Sequence, residues 1–558
     1  MTMGRAFLCW SLALALGLPA AGRAAEPACE AVFHAAVRAP DEADVHADPA
    51  KPILALARGE FEPVAVTLKA RRAVKNLRVA CEILQGPGGA SIAAENFRVH
   101  REVDAKLRVG PKDAKREETR AYWLVPDGVL PVDLDAGEAA TFWITLHAPA
   151  EAAPGAYRGG CAVLAEGEPA QRLTWAVEVR PFALPKPRAA FAMFYTYEFR
   201  YLERYEPDYE PAAKRRDPRE RAGFLARGEA VVRDLAEHGM TAIVPHSSRV
   251  LLRRNGRLEM PDLEASLRAA RAHGMNDPPG WFVGNLVNAQ WADLPNFDER
   301  RDGALLKEIA ARAGEAARAA GYADLFLIPS DEPTLERKLV AAEKLLRAAQ
   351  GVPGVRYGVT ANHATFEKLG ALHQVSVYDG GAPEEWAAGR KAGRAIWLYD
   401  NHATTGFDPA WSRFVYGFLG WRAGFDGVGS WTYPLHIGDW DGRKREDAAG
   451  RKIPECDLSG QPINPIVWEA VREGIDDRRY LDGLAEEIER ARNAGRAAEA
   501  GAAQALLDEL RGELPPDLAS FGYIQTERGA PSPGRFGARW MDAARQRLAE
   551  ARQKLAGP

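Results

Sequence analysis

Two adjacent carboxylates, Asp331 and Glu332, stand just beyond a short apolar run, Leu325-Phe-Leu-Ile328, and are followed by Pro333. Such a pair can divide the work of acid chemistry. One group donates and recovers a proton while the other orients or stabilises a developing positive charge. Carboxyls this close resist simultaneous ionisation, so one of the two pKa values is expected to rise toward the working pH. Pro333 biases Glu332 toward an extended backbone, and the next helix is predicted to start near Leu335. The apolar run suits a strand covered on both faces, which would deliver the acids at its C-terminal tip, where β/α barrels keep their chemistry. Taken in isolation, the same residues also read as a helix cap at Asp331 beside a solvated Glu332. The context along the chain favours the first reading.

That context is a succession of apolar runs alternating with helical stretches. Eight strands are predicted: Ala190 to Tyr197, Thr241 to Pro245, Gly280 to Gly284, Asp324 to Ser330, Arg356 to Thr360, Gln374 to Tyr378, Ala395 to Tyr399 and Gly427 to Thr432. Helices such as Ala304 to Ala320, Leu335 to Ala349 and Pro409 to Arg422 fill the gaps. The pattern predicts a TIM-like (β/α)8 barrel over residues 189–480. Its rim would carry Tyr195, Tyr197, His246, Asn285, Asn288, Trp291, Asn362, His363, Tyr378, Asp379, Tyr399, Asp400, Asn401, Trp431 and Tyr433. Acceptors, donors and flat aromatic faces around one bowl suit a carbohydrate, whose hydroxyls hydrogen-bond and whose C–H faces stack on rings. A second carboxylate across the bowl, Asp379 or Asp400, would instead make a two-carboxylate glycosidase with Glu332 as acid. A glycan-binding protein without turnover is the non-catalytic alternative. The sequence Asn-His-Ala-Thr occurs at Asn362 to Thr365 and again at Asn401 to Thr404, with capping or hydrogen-bonding roles expected rather than metal ligation. No phosphate-cradling glycine loop, Gly-x-Ser-x-Gly elbow or His-Glu-x-x-His helix occurs, and no cofactor or metal is expected.

Around the barrel, three further regions are expected. Residues 1–24, with Arg5 ahead of a short apolar run and small residues from Ala20 to Ala25, have the form of a secretory signal, implying a periplasmic or secreted protein. Residues 26–180 alternate with period two at Val64, Val66 and Leu68, at Phe142, Ile144 and Leu146, and at Leu173, Trp175, Val177 and Val179, predicting a β-sandwich of antiparallel strands. A proline-rich linker, 181–188, follows it, and residues 481–558 form a helical region whose apolar face includes Leu481, Leu484 and Ile488. Of five cysteines, Cys9 leaves with the signal. Cys81 and Cys161 share strand faces with apolar residues, which leaves both buried thiols and a disulfide open. A net charge of −4 without basic runs argues against a nucleic-acid partner, and no segment after the signal reads as a membrane span.

Three stretches carry a resemblance: Ala57-Arg-Gly-Glu60-Phe-Glu-Pro63, Ser330-Asp331-Glu332-Pro333, and Trp468-Glu469 with Arg472-Glu-Gly474-Ile-Asp-Asp477-Arg-Arg-Tyr480. Together with Trp143 to Tyr157 they resemble the glycoside hydrolase family 123 group, also catalogued as domain of unknown function 4091, whose characterised members are β-N-acetylgalactosaminidases. The resemblance covers nearly the whole chain after the signal. It implies a substrate-assisted retaining hydrolysis in which Asp331 orients the sugar's 2-acetamido group and Glu332 serves as acid and then base. The chain departs from the group at Trp468, where arginine is common, so a supporting ion pair there is in doubt.

Overall fold

The computed structural model of the chain describes residues 26–37, 53–109, 117–196, 198–199, 202–206, 212–246, 251–252, 256, 258–283, 300–330, 332–333, 335–361, 368–378, 383–405, 408–433, 453, 456–457, 460–517 and 532–556. The expected signal segment lies outside the described residues.

The N-terminal part is two facing sheets. One orders the strands Cys29–Ala35, Phe61–Ala70, Ala139–His147, Phe97–Val109 and Glu117–Pro126. The other runs Leu54–Arg58, Gln171–Ala183, Gly155–Leu164, Leu84–Gln85 and Ser91–Ile92, with Arg78–Cys81 also paired to Gly155–Leu164. The alternating residues Val64, Val66, Leu68, Phe142, Ile144, Leu146, Trp175, Val177 and Val179 interdigitate in one buried core, because period two puts every second side chain on the inner face. One pairing differs from the antiparallel expectation: Leu54–Arg58 runs parallel to Gln171–Ala183. That same strand extends to Ala183, into the segment expected to be linker.

Among the described residues eight parallel strands follow: β1 (Ala190–Thr196), β2 (Val244–Pro245), β3 (Gly280–Phe282), β4 (Leu325–Ile328), β5 (Val355–Ala361), β6 (Val375–Tyr378), β7 (Ala395–Tyr399) and β8 (Gly427–Trp431). They lie side by side in chain order, with β8 returning to pair with β1. The two ends of the sheet meet through a parallel bridge from His246 to Phe282 and the Gly280 N–H donating to Ile243 O at 2.9 Å. Both faces are apolar, as expected when helices cover the outside and side chains fill the inside. Ala192, Phe194, Phe326, Ile328, Val375, Val377, Trp397 and Tyr399 pack together inside. Their sequence neighbours Phe191, Met193, Leu325, Leu327, Ile396 and Leu398 join the outer core. Glycine is required on β8, since a Cβ on Gly427 would lie 2.3 Å from the Trp397 ring and one on Gly429 2.2 Å from the Phe194 ring.

The outer layer comprises α1 (Arg221–Glu237), α2 (Pro261–Ala272), α3 (Arg301–Ala319), α4 (Glu336–Ala349), α5 (Pro383–Lys391) and α6 (Pro409–Phe414), the last continuing through π-helical Val415–Leu419 into Gly420–Ala423. Among the described residues three C-terminal helices follow, α7 (Ile466–Asn493), α8 (Ala497–Glu513) and α9 (Ala538–Ala556). The boundary expected at 480 falls inside α7, a continuous helix of 28 residues. Leu481, Leu484 and Ile488 are buried on it, as their spacing predicts. Among the described residues no helix is long and apolar enough to cross a membrane.

A buried ionic joint ties these parts together. Arg545 of α9 donates from Nε to Asp477 Oδ1 at 2.6 Å and from Nη1 to Glu473 Oε2 at 2.7 Å and Glu62 Oε2 at 2.9 Å. Arg413 of α6 pairs with Asp477 at 2.7 Å. Tyr480 OH donates to Glu60 Oε2 at 2.8 Å, and the Ala57 N–H donates to the same oxygen at 2.5 Å. The first and third of the resembling stretches therefore meet here, between the sandwich and α7.

Candidate active site

Parallel strands all end on one side of the sheet, so the residues just past β1, β2, β4, β7 and β8 share a rim. Glu332 is on it, four residues beyond β4, with its side chain exposed. Its backbone is not extended as expected ahead of a proline: φ is +41°, in the left-handed region. The cause is local. The Glu332 N–H donates to Thr360 Oγ1 on β5 at 2.5 Å, and Pro333 is buried. Such a conformation costs a non-glycine residue on the order of 1–3 kcal/mol and persists only when its surroundings fix it. Asp331 lies outside the described residues, as do Tyr197, Asn285, Asn288, Trp291, Asn362, His363 and Asp379. Tyr195 is on β1 and Tyr378 closes β6.

Two rings face the interior at this end. Tyr399 ends β7, packed edge-to-face on Phe194 with centroids 5.3 Å apart. Trp431 ends β8 and is half-buried. The second Asn-His-Ala-Thr stretch holds it: Asn401 Oδ1 accepts from the Trp431 N–H at 3.0 Å, while Thr404 Oγ1 donates to Trp431 O at 2.6 Å. That stretch thus clamps the tip of β8.

Two expected sugar contacts are corrected. Asp400 follows Tyr399 and so falls on the opposite, outward face of β7. It is fully buried, and its Oδ2 accepts from the Trp411 indole of α6 at 2.7 Å. Tyr433 is also fully buried, because its hydroxyl donates to Asp234 of α1 and its ring stacks on Trp468 of α7 at 4.4 Å. Neither is available to a sugar on the rim.

Tyr433 belongs instead to a network that sequence reading missed. Asp234 Oδ2 also accepts from Trp468 Nε1 at 2.9 Å and Asn464 Nδ2 at 3.0 Å. His238 Nε2 bonds Glu469 Oε1 at 3.1 Å, and Glu469 pairs with Arg472 at 2.5 Å. Burial pushes the His238 pKa down, but Asp234 and Glu469 outweigh it and hold the imidazole above its ordinary value. Trp468 thus supplies a neutral donor to Asp234, and the neighbouring ion pair joins Arg472 and Glu469. The signal was present in the sequence as Trp468-Glu469 and Arg472, but their partners lie more than 200 positions away. A further rim carboxyl, Glu198, lies just past β1 and is buried, which raises its pKa against the opposing hydrogen bonds of Ser266, its own backbone and Thr196.

No family model and no curated protein sequence matches the chain. Solved structures do, and the architecture described above, sandwich, parallel sheet and C-terminal helices, is that of a glycoside hydrolase of known structure. The particular likeness is to a family 123 glycoside hydrolase from Clostridium perfringens, described for its hydrolysis of glycolipid glycans: TM-score 0.68 at 11% identity, covering 95% of this chain and 99% of that one. The resemblance first carried by three short stretches therefore extends to the fold of nearly the whole chain. A family 39 glycoside hydrolase from Bacteroides cellulosilyticus WH2 matches at a TM-score of 0.35 and 12% identity, over 76% of this chain and 82% of that one.

Proposed function

We propose that the protein is an exported glycoside hydrolase that cleaves β-linked N-acetylhexosamine, with N-acetylgalactosamine the preferred sugar, on a (β/α)8 barrel. The observation that carries this reading is Glu332. It is an exposed carboxyl at the tip of β4, held in a costly backbone conformation by a hydrogen bond from its own N–H to the neighbouring strand. The fold shared with the Clostridium enzyme supports it.

In the substrate-assisted route, the sugar's own acetamido oxygen attacks the anomeric carbon, so no protein nucleophile need stand across the ring. Asp331 orients the acetamide and stabilises the positive charge of the oxazolinium ion. Glu332 protonates the departing glycosidic oxygen and then takes the proton of the water that reopens the ring. Trp431 and Tyr399 offer faces for the sugar's apolar side. With Asp400 bonded to Trp411, the two-carboxylate alternative loses one of its two candidates, leaving Asp379.

The test is a panel of aryl β-glycosides with and without the 2-acetamido group, given to the wild type, Glu332→Gln and Asp331→Asn. Turnover of 2-acetamido sugars alone, falling by about 10²–10⁴ in each variant, is expected. Turnover of plain hexosides would reject the substrate-assisted route and favour Asp379. Binding of glycans without turnover, unchanged in Glu332→Gln, would reject the enzyme.

A further inference from the structure

Cys81 and Cys161 are Cα partners on adjacent antiparallel strands of the sandwich. Which kind of partners they are follows from the next pair along. The Glu82 N–H donates to Gly160 O at 2.9 Å, so residues 82 and 160 form a hydrogen-bonded pair. Pairs alternate along an antiparallel ladder, which makes 81 and 161 a non-hydrogen-bonded pair, the closer kind, with Cα atoms typically about 4.5 Å apart. Disulfides span Cα separations of about 4.4–6.8 Å. Both side chains point to the same face, since Val79 and Val163, two positions along each strand, are partners in the shared core. The structure carries both as thiols. Neither of the other two described cysteines competes: Cys29 stands in the other sheet opposite Ala70, and Cys456 is bridged to Pro462 far along the chain.

We propose that Cys81 and Cys161 are joined by a disulfide in the protein folded under oxidising conditions. The oxidant is a small-molecule or protein disulfide. In the folding chain the Cys81 thiolate attacks it to give a mixed disulfide and releases one thiol. The Cys161 sulfur then attacks the Cys81 sulfur and releases the second thiol, so two cysteine protons and two electrons leave with the reduced oxidant. Burial pushes the Cys161 thiol up to about 12, and it raises Cys81 as well, with Cys161 adding to the effect. Few thiolates are available once the sheets have closed, so the bond forms during folding. The bond closes a long loop, from the short strand Arg78–Cys81 across most of the sandwich, and this inference stands apart from the catalytic reading.

The test uses the full chain, unfolded under reducing conditions and refolded with oxidised and reduced glutathione, then denatured and alkylated with a maleimide. Two fewer alkylated cysteines than in a reduced control, with a Cys81 peptide cross-linked to a Cys161 peptide, are expected. Oxidised protein should also melt roughly 5 °C above the same protein kept reduced. Full alkylation, or a linkage that includes Cys9, Cys29 or Cys456, overturns the proposal. Because the comparison is between two redox states of the wild type, it does not depend on a variant folding.

Discussion

Glu332 bears two burdens that can be separated by substitution. Its carboxyl is the proposed acid, and its backbone occupies a left-handed conformation that only glycine adopts freely. Replacing it with glycine or alanine removes the carboxyl in both cases, so both variants should be inactive. They should differ in stability. Glu332→Gly is expected to melt above Glu332→Ala by an amount corresponding to about 1 kcal/mol, measured by thermal denaturation. Equal melting would show that the left-handed geometry is not kept in solution. The expectation of an extended residue here came from Pro333 alone. It failed because the decisive contact, Thr360 Oγ1, belongs to another strand and leaves no local trace. Asp400 and Tyr433 were misplaced for a related reason. Position past a strand gives the rim, but the direction of the side chain depends on partners such as Trp411 and Asp234, supplied by helices distant in sequence.

The strands themselves were far more legible. A covered parallel strand needs apolar residues on both faces, and that requirement writes continuous runs such as Leu325 to Ile328 and Ala395 to Tyr399 into the sequence. What the pattern did not announce is the π-helical stretch Val415–Leu419 that continues α6 and packs against α7 through glycines. A Cβ on Gly474 would sit 2.4 Å from Arg413 O, and one on Gly417 would sit 2.9 Å from Gly474 O. Both contacts are with backbone, which cannot swing aside. Gly474→Ala should therefore lose stability despite the better helix propensity of alanine, by about 1–3 kcal/mol in chemical denaturation. A stabilised variant would mean that α6 and α7 are not this close.

For the molecule as a whole, the joint between sandwich, α7 and α9 sets a pH dependence. Burial, aided by Asp476, raises the Glu60 pKa to about 7, against the pull of Arg545, the Ala57 N–H and Tyr480 OH. A folded pKa above the unfolded 4.5 means that the native state holds this proton more tightly. Its contribution is therefore present below pH 4.5 and is lost as pH rises through 7. His238, also raised, contributes in the same sense, with stability present below its unfolded pKa and lost above the folded one. Glu469 acts oppositely. Although burial raises its pKa, Arg472 and His238 outweigh that and lower it, so its contribution is lost on acidification. The melting temperature should accordingly be highest in mildly acidic buffer and fall between pH 5 and 8. Glu60→Gln, which keeps an acceptor for Ala57 and Tyr480 but cannot ionise, should flatten that fall. An unchanged slope would remove Glu60 from the account.

The same joint bears on how such a chain can change over generations. The stretches around Glu60 and around Tyr480 lie 420 positions apart but share a hydrogen bond, and Arg545 reaches both Glu62 and Glu473. Recombination that brought in a sandwich from a distant lineage would bring one half of a lock without its key, leaving buried charges unmatched. The sandwich is therefore expected to descend together with α7 and α9, so a genealogy drawn from the sandwich should retrace the one drawn from those helices.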